Sequence, residues 1–254
     1  MIDLNYINSF FPAQIAGNAT FQKHILKEYV QLMVLDYLAI SPYISKLAFI
    51  GGTNLRLIKG IDRFSEDLDF DCKDLTDDEF KEMTDGVLTF LYRSGINVEA
   101  RDKANPKLSA FRRNIYFPEF LFELGLTGNQ LDQGVNYPIE KKHVQRCGFF
   151  FPLPVPPDSV LLSMKLSALL ARAKGRDFYD TMFLMQQTKP SYEFLSARVG
   201  INTPDELKKA ILNKLKTIDL NVKKRDFEHL LFNVNAGEKI LLFEEFFIRN
   251  CKEV

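Results

Sequence analysis

The chain has 254 residues, 46% hydrophobic and 26% charged, enough to bury a core in one bilobed domain or in two small ones. Its 33 basic and 33 acidic residues cancel, which excludes a nucleic-acid binder working through overall positive charge and leaves only local patches for such contacts. The three cysteines (Cys72, Cys147, Cys251) and three histidines (His24, His143, His229) are scattered without Cys-x-x-Cys spacing, which argues against a disulfide framework or a zinc site.

The start, Met1-Ile2-Asp3-Leu4-Asn5, has no basic flank followed by an apolar run, so no signal peptide is expected. No stretch reaches the ~18 apolar residues of a spanning helix, and the expectation is a cytoplasmic protein without a membrane segment. Ile25, Val30, Leu32, Met33, Leu35 and Leu38 recur at helical spacing over residues 20–40, and Pro42 stops that helix. Leu47 to Ile50 is a short apolar strand running into Gly51-Gly52, and Thr53 to Lys59 a short helix closed by Gly60. Leu68-Asp69-Phe70-Asp71 alternates with period two, a strand with one wet face. Thr76-Asp77-Asp78-Glu79 is a capping box ahead of the stripe Phe80, Met83, Val87, Leu88 and Leu91, and Gly95 ends this helix. Ile96–Arg101 and Ser109–Phe117 read as strands paired across an Asn105-Pro106 turn, and Gly125 to Tyr137 as a loop. The four prolines between Phe149 and Pro157 mark a connector. After it only helices are expected, over about 158–174, 177–187, 191–199, 204–216, 224–233 and 237–250. The boundaries are therefore 1–157 for an α/β core with an N-terminal helix and 158–254 for a helical lobe.

Asp67 and Asp69, at i and i+2, project from one face of a strand about 7 Å apart along the chain. Two like charges there call for a cation, and paired carboxylates suit Mg²⁺ (or Mn²⁺) shared with substrate phosphates. The Gly51-Gly52 turn lets backbone N–H groups approach a phosphate, and the helix behind it adds a positive N-terminal end. Such a site catalyses phosphoryl transfer by positioning and charge neutralisation. Alone, a Gly-Gly is usually a turn and an Asp-x-Asp a solvated strand face; their order and spacing together carry the reading.

Further on, Lys165 and Arg172 lie two turns apart on one helix face, and a bend of the helix is expected at Gly175, before Arg176. Lys165 suits a triphosphate as a point charge, and Arg172 or Arg176 as a fork. Asp177 and Asp180 lie one turn apart at the start of the next helix, where the dipole favours carboxylates. The competing structural reading pairs Arg176 with Asp180 at i, i+4.

Gly51-Gly52-Thr53-x-Leu55-Arg56, followed by Arg63-x-Ser65-x-Asp67-x-Asp69, resembles the first motif of the AbiEii/AbiGii-type nucleotidyltransferase toxins, of the polymerase beta-like nucleotidyltransferase superfamily. A second match runs from Ser163 and Lys165 through Arg172, Lys174, Arg176 and Asp177 to Asp180, so that the resemblance spans most of residues 47–187. It implies an α+β fold, a nucleotidyltransferase-type mixed sheet flanked by helices and followed by an all-helical C-terminal lobe. It implies nucleotide binding by Gly51, Gly52, Thr53, Arg63, Ser65, Arg172 and Arg176, and metal at Asp67 and Asp69. Lys165 and Asp177 join the active site by the same resemblance, Asp177 either polarising the acceptor or orienting Lys165. The implied role is the toxin of a toxin–antitoxin or abortive-infection system, with a separate antitoxin, moving a nucleotide from a nucleoside triphosphate to an RNA (tRNA-like) or protein acceptor.

Members of the superfamily supply a third metal carboxylate from a neighbouring strand. Here Gly125-Leu126-Thr127-Gly128 leads straight to Asn129-Gln130-Leu131-Asp132 with no apolar strand, leaving Glu123, Glu99 or Glu140 as substitutes, or none. The alternative function is thus a catalytically impaired nucleotide- or RNA-binding module. For an RNA acceptor, the local basic clusters are Arg101, Lys103, Lys107, Arg112 and Arg113; Lys141, Lys142 and Arg146; and Lys223, Lys224 and Arg225.

Overall fold

A computed structural model describes residues 2–102, 110–130 and 136–251. The chain divides into two units: the first holds the residues up to Gly60, residues 64–130 and Ile139–Val155; the second holds Ile61–Arg63, residues 136–138 and the chain from Pro156 onward.

In the first unit, α1 (Leu4–Asn8), capped by the Asp3 carboxylate, and α2 (Ala13–Ala16) lead into α3 (Gln22–Ala39). Ile25, Val30, Leu32, Leu35 and Leu38 of α3 are buried. β1 (Leu47–Ile50) runs into α4 (Gly51–Leu57), which begins at the diglycine itself, and β2 (Leu68–Cys72) into α5 (Asp77–Arg93). Both halves of the Thr76–Glu79 capping box form at the start of α5. β3 (Glu99–Ala100), β4 (Phe111–Phe117) and β5 (Phe122–Gln130) complete a mixed sheet of order β1-β2-β5-β4-β3, in which β2 and β5 are parallel and the other pairs antiparallel. The Asn105-Pro106 turn expected between β3 and β4 lies outside the described residues. One sheet face carries the apolar Leu68, Phe70, Leu124, Leu126 and Ile115, where Phe80 of α5 stacks on Phe111. The other carries Asp69, Thr127 and Arg112 in register.

Two expected irregular stretches are strands. Residues from Gly125 on, read as a loop, continue β5 to Gln130, because its glycines are sites of close approach rather than of bending. A Cβ on Gly128 would stand 2.7 Å from Cys72 Sγ, and one on Gly125 2.8 Å from Asp67 Oδ1. The proline-rich connector is β7 (Phe149–Val155), paired antiparallel with β6 (Glu140–Arg146) in a separate two-stranded sheet. Among the described residues neither strand has a second neighbour, so Pro152 and Pro154 need no N–H on the open edge, while Phe151, Leu153 and Val155 are buried.

The second unit holds α6 (Asp158–Ala171), α7 (Gly175–Met185), α8 (Tyr192–Val199), α9 (Pro204–Leu215), α10 (Leu220–Arg225) and α11 (Phe243–Asn250). α6 stops short of residue 174 because Ala173 takes φ +47°, in the left-handed region. The helix expected over 224–233 is instead α10 and a 3-10 turn at Glu228–Leu230, and the one expected over 237–250 is a 3-10 stretch, Val234–Leu242, leading into α11. The α9 start follows its signals: Thr203 caps the Glu206 N–H, and Pro204 takes the first helical position. Phe178 meets Phe243 edge-on at 4.9 Å in this core. Among the described residues no helix is long and apolar enough to cross a membrane.

Candidate active site

The acidic pair lies where the chain enters β2. Asp67 precedes the strand by one residue and Asp69 lies within it; both are half-buried. Ile50 of β1 is the register partner of Asp69, so the next residue, Gly51, comes against the Asp69 carboxylate. Gly51 has φ +79°, and a Cβ there would overlap Asp69 Oδ2. The diglycine bend and the second aspartate are thus in direct apposition. Asp67 is fixed from the other flank: its Oδ1 accepts from Gly125 N at 3.1 Å, and its carbonyl accepts from Thr53 Oγ1 at 2.5 Å.

Thr53 is fully buried, so its hydroxyl ties α4 to the Asp67 backbone instead of reaching a nucleotide. Ser65 is buried and its carbonyl accepts from Gln31 Nε2 at 3.1 Å. Arg56 is committed to the structure as well. Its guanidinium bonds both oxygens of Glu28, at 2.8 and 3.3 Å, and Arg146 adds a 2.6 Å bond to the same carboxylate.

Lys27 was not anticipated at this site. It is buried on α3; burial lowers its pKa, opposed by the negative charges of Asp67, Glu66 and Glu123. Its charge interacts with that of Asp67, and its helical spacing gave no sign of that.

Among the described residues no three His, Cys, Asp or Glu side chains form a metal-sized group. Glu99 pairs with Arg101 at the far sheet edge, and Glu140 pairs with Lys142 in the other sheet. Glu123 is on β5, on the Asp69 face, but the position beside Asp69 is Thr127. The neighbouring strand therefore exists, and beside Asp69 it presents the hydroxyl of Thr127.

The second unit holds its own cluster. Asp180 is fully buried on α7. Its carboxylate accepts from Arg63 Nε and Nη2, both at 2.7 Å, and pairs with Lys165 Nζ at 2.8 Å. Burial pushes Asp180 up, but Arg63 and Lys165 outweigh it and hold the carboxyl at about 2. This corrects two expectations. Arg63, with no exposed side-chain surface, holds Asp180 rather than a phosphate. Lys165 is oriented by Asp180, not by Asp177. Asp177, equally buried, accepts from Arg172 at 2.9 and 3.0 Å and from Lys174 N at 3.0 Å, as the N3 carboxylate of a capping box does. Arg172 is thereby engaged from a half-exposed position, and Arg176 is partly buried on α7. The signal that could have singled out Asp180 was its place one turn after Asp177 on the buried stripe of that helix.

The family model described as nucleotidyl transferase AbiEii toxin, type IV TA system, matches residues 34–232. MenT4, a nucleotidyltransferase toxin from Mycobacterium tuberculosis H37Rv, is similar in structure with a TM-score of 0.63 at 16% identity, covering 98% of this chain and 90% of its own, which supports the fold. JHP933 from Helicobacter pylori aligns with a TM-score of 0.49 at 21% identity over 91% of this chain and 92% of its own. No curated protein sequence matches.

Proposed function

The chain belongs to the AbiEii family of nucleotidyltransferase toxins of type IV toxin–antitoxin systems, and on that premise we propose that it moves a nucleotide from a nucleoside triphosphate to an acceptor, RNA or protein, in a metal-dependent reaction at the Asp67–Asp69 face. The observation that carries the reading is the apposition of Gly51 and Asp69: the bend that suits a phosphate presses against the carboxylate that suits its counter-ion.

The donor set fits a hard divalent ion. Mg²⁺ is commonly held by one or two carboxylates with phosphate and water oxygens filling the remaining positions, and Asp67 and Asp69 supply that pair. Once bound, the ion would neutralise charge on the transferring phosphate. The chain's own groups do the rest. Gly51 and Gly52 offer backbone N–H groups to the phosphates, with no side chain to hold them off. Gly125 N keeps Asp67 in place through its 3.1 Å bond. Within the helical unit, Asp180 fixes Lys165 through their 2.8 Å ion pair. A separate antitoxin protein is the expected partner.

A transfer assay with α-labelled nucleoside triphosphates, cell RNA and cell protein tests this. Label is expected in one acceptor fraction with Mg²⁺ or Mn²⁺ present, and Asp69→Asn is expected to lower it on the order of 10²–10³-fold, the scale of losing a group that meets developing charge. Equal labelling by both proteins defeats the assignment. The missing third carboxylate among the described residues favours one other reading, a binding module of the same fold. Tight triphosphate binding indifferent to Mg²⁺, with no product, would select it.

A further inference from the structure

The face that carries the aspartate pair continues over β5 and β4. Asp69 stands beside Thr127, and Thr127 beside Arg112; Gly125, which holds Asp67, stands beside Asn114. Strand alternation decides which arginine faces the site. Arg113 points to the opposite face, is buried, and pairs with Asp85 at 2.9 Å and Asp102 at 3.3 Å. Arg112 is exposed on the aspartate face, and among the described residues no ion pair engages it.

Arg112 is nevertheless oriented. Its Nε donates to Asn114 Oδ1 at 3.3 Å. Asn114 is 6% exposed and anchored in turn, its Nδ2 donating to Arg101 O and its backbone N to Asp102 Oδ1, each at 3.2 Å. The space over Gly125 joins the two groups: a Cβ there would lie 2.8 Å from Asp67 Oδ1 and 3.7 Å from Asn114 Oδ1. The absent side chain at Gly125 therefore lets the Asn114–Arg112 pair and the Asp67 carboxylate border one small space. The flank that lacks a third carboxylate carries Thr127 and then a guanidinium. That charge pattern favours an anion there over a second metal ion. Nε goes to Asn114 and, among the described residues, no hydrogen bond of the two terminal nitrogens is seen; their N–H groups suit a forked contact.

We propose that Arg112 is an oxyanion-binding residue of this face, taking a phosphate group of a bound substrate on the flank of Asp67 and Asp69 opposite the diglycine bend. The proposal rests on the nucleotidyltransferase reading above. The phosphate belongs either to the triphosphate or to a phosphate-bearing acceptor strand, and the two are separable by equilibrium binding without turnover. Wild type, Arg112→Ala, Arg112→Lys and the surface control Lys81→Ala, exposed on α5, are titrated first with each ribonucleoside triphosphate in Mg²⁺ without acceptor, then with a short single-stranded RNA without nucleotide. Thermal melting confirms that each variant folds. Arg112→Ala is expected to weaken one of the two titrations about 10- to 100-fold, the range for losing a charged hydrogen bond, with Arg112→Lys in between and Lys81→Ala unchanged. Loss with triphosphate places the phosphate on the nucleotide; loss only with RNA places it on the acceptor. Wild-type affinity of Arg112→Ala in both titrations overturns the role of Arg112 while leaving the enzyme assignment intact. A wild-type chain that binds no triphosphate overturns both.

Discussion

Gly51 bears two demands that no other residue meets together: a φ of +79° and a carboxylate occupying the position of a Cβ. Gly51→Ala is expected to displace Asp69, to cost on the order of 1–3 kcal/mol in stability and to weaken triphosphate binding at least about tenfold. Denaturant unfolding and a binding titration measure the two effects; an alanine variant equal to wild type in both would remove Gly51 from the site. A diglycine reads from sequence as a turn, but the reason for the glycine is a side chain from the next strand. Arg63 carries the same lesson in reverse. It sits in the motif next to the aspartates, yet its partner is Asp180, 117 residues away, and nothing near it in the chain announces that pairing.

Among the elements, α3, α4 and β6 are joined through a single carboxylate. Glu28 is 1% exposed and receives Arg56 and Arg146 together. Glu28→Ala would remove the Glu28 carboxylate from the buried Arg56 guanidinium, at an expected loss of roughly 3–5 kcal/mol. Chemical denaturation checks this, and a loss below about 1 kcal/mol would mean that the triad is incidental to stability. The helices were largely legible because their signals are local: the Thr76–Glu79 box and the Thr203-Pro204 start form as their spacing requires. β5 and β7 were not, because glycine and proline normally argue against strands. Close packing explains the glycines of β5, and the open edges of a two-stranded sheet explain the prolines of β7.

For the whole molecule, the buried Arg63–Asp180–Lys165 cluster shows that the helical unit is not one continuous stretch of chain. Ile61–Arg63 groups with the helices although residues 64–130 belong to the α/β unit. A boundary drawn near residue 157 separates Asp180 from its guanidinium. Asp180→Asn is expected to cost roughly 3–5 kcal/mol near neutral pH, since Arg63 stays buried without its anion. The pH dependence follows from the direction of the shift. The folded-state carboxyl titrates at about 2 against an ordinary 3.8, so its contribution is complete above about pH 4 and is lost as pH falls through 2. Over that window the wild type should lose about 2 kcal/mol of linked stability that Asp180→Asn does not lose, narrowing the gap between them. Urea unfolding at pH 7 and in acid measures it; a gap independent of pH would contradict the assignment.

By itself the sequence determined the α+β class, most helix starts, the order of diglycine and paired aspartates, and the family resemblance. All of these rest on residue identities and on spacings within a few turns of the chain. Only the tertiary structure decided which charges meet: Asp180 with Lys165 and Arg63, Asp177 with Arg172, Arg112 on the aspartate face and Arg113 behind it, with Thr127 beside Asp69. Those choices depend on strand register and on burial, which bring together side chains separated by tens of residues and carry no local signature.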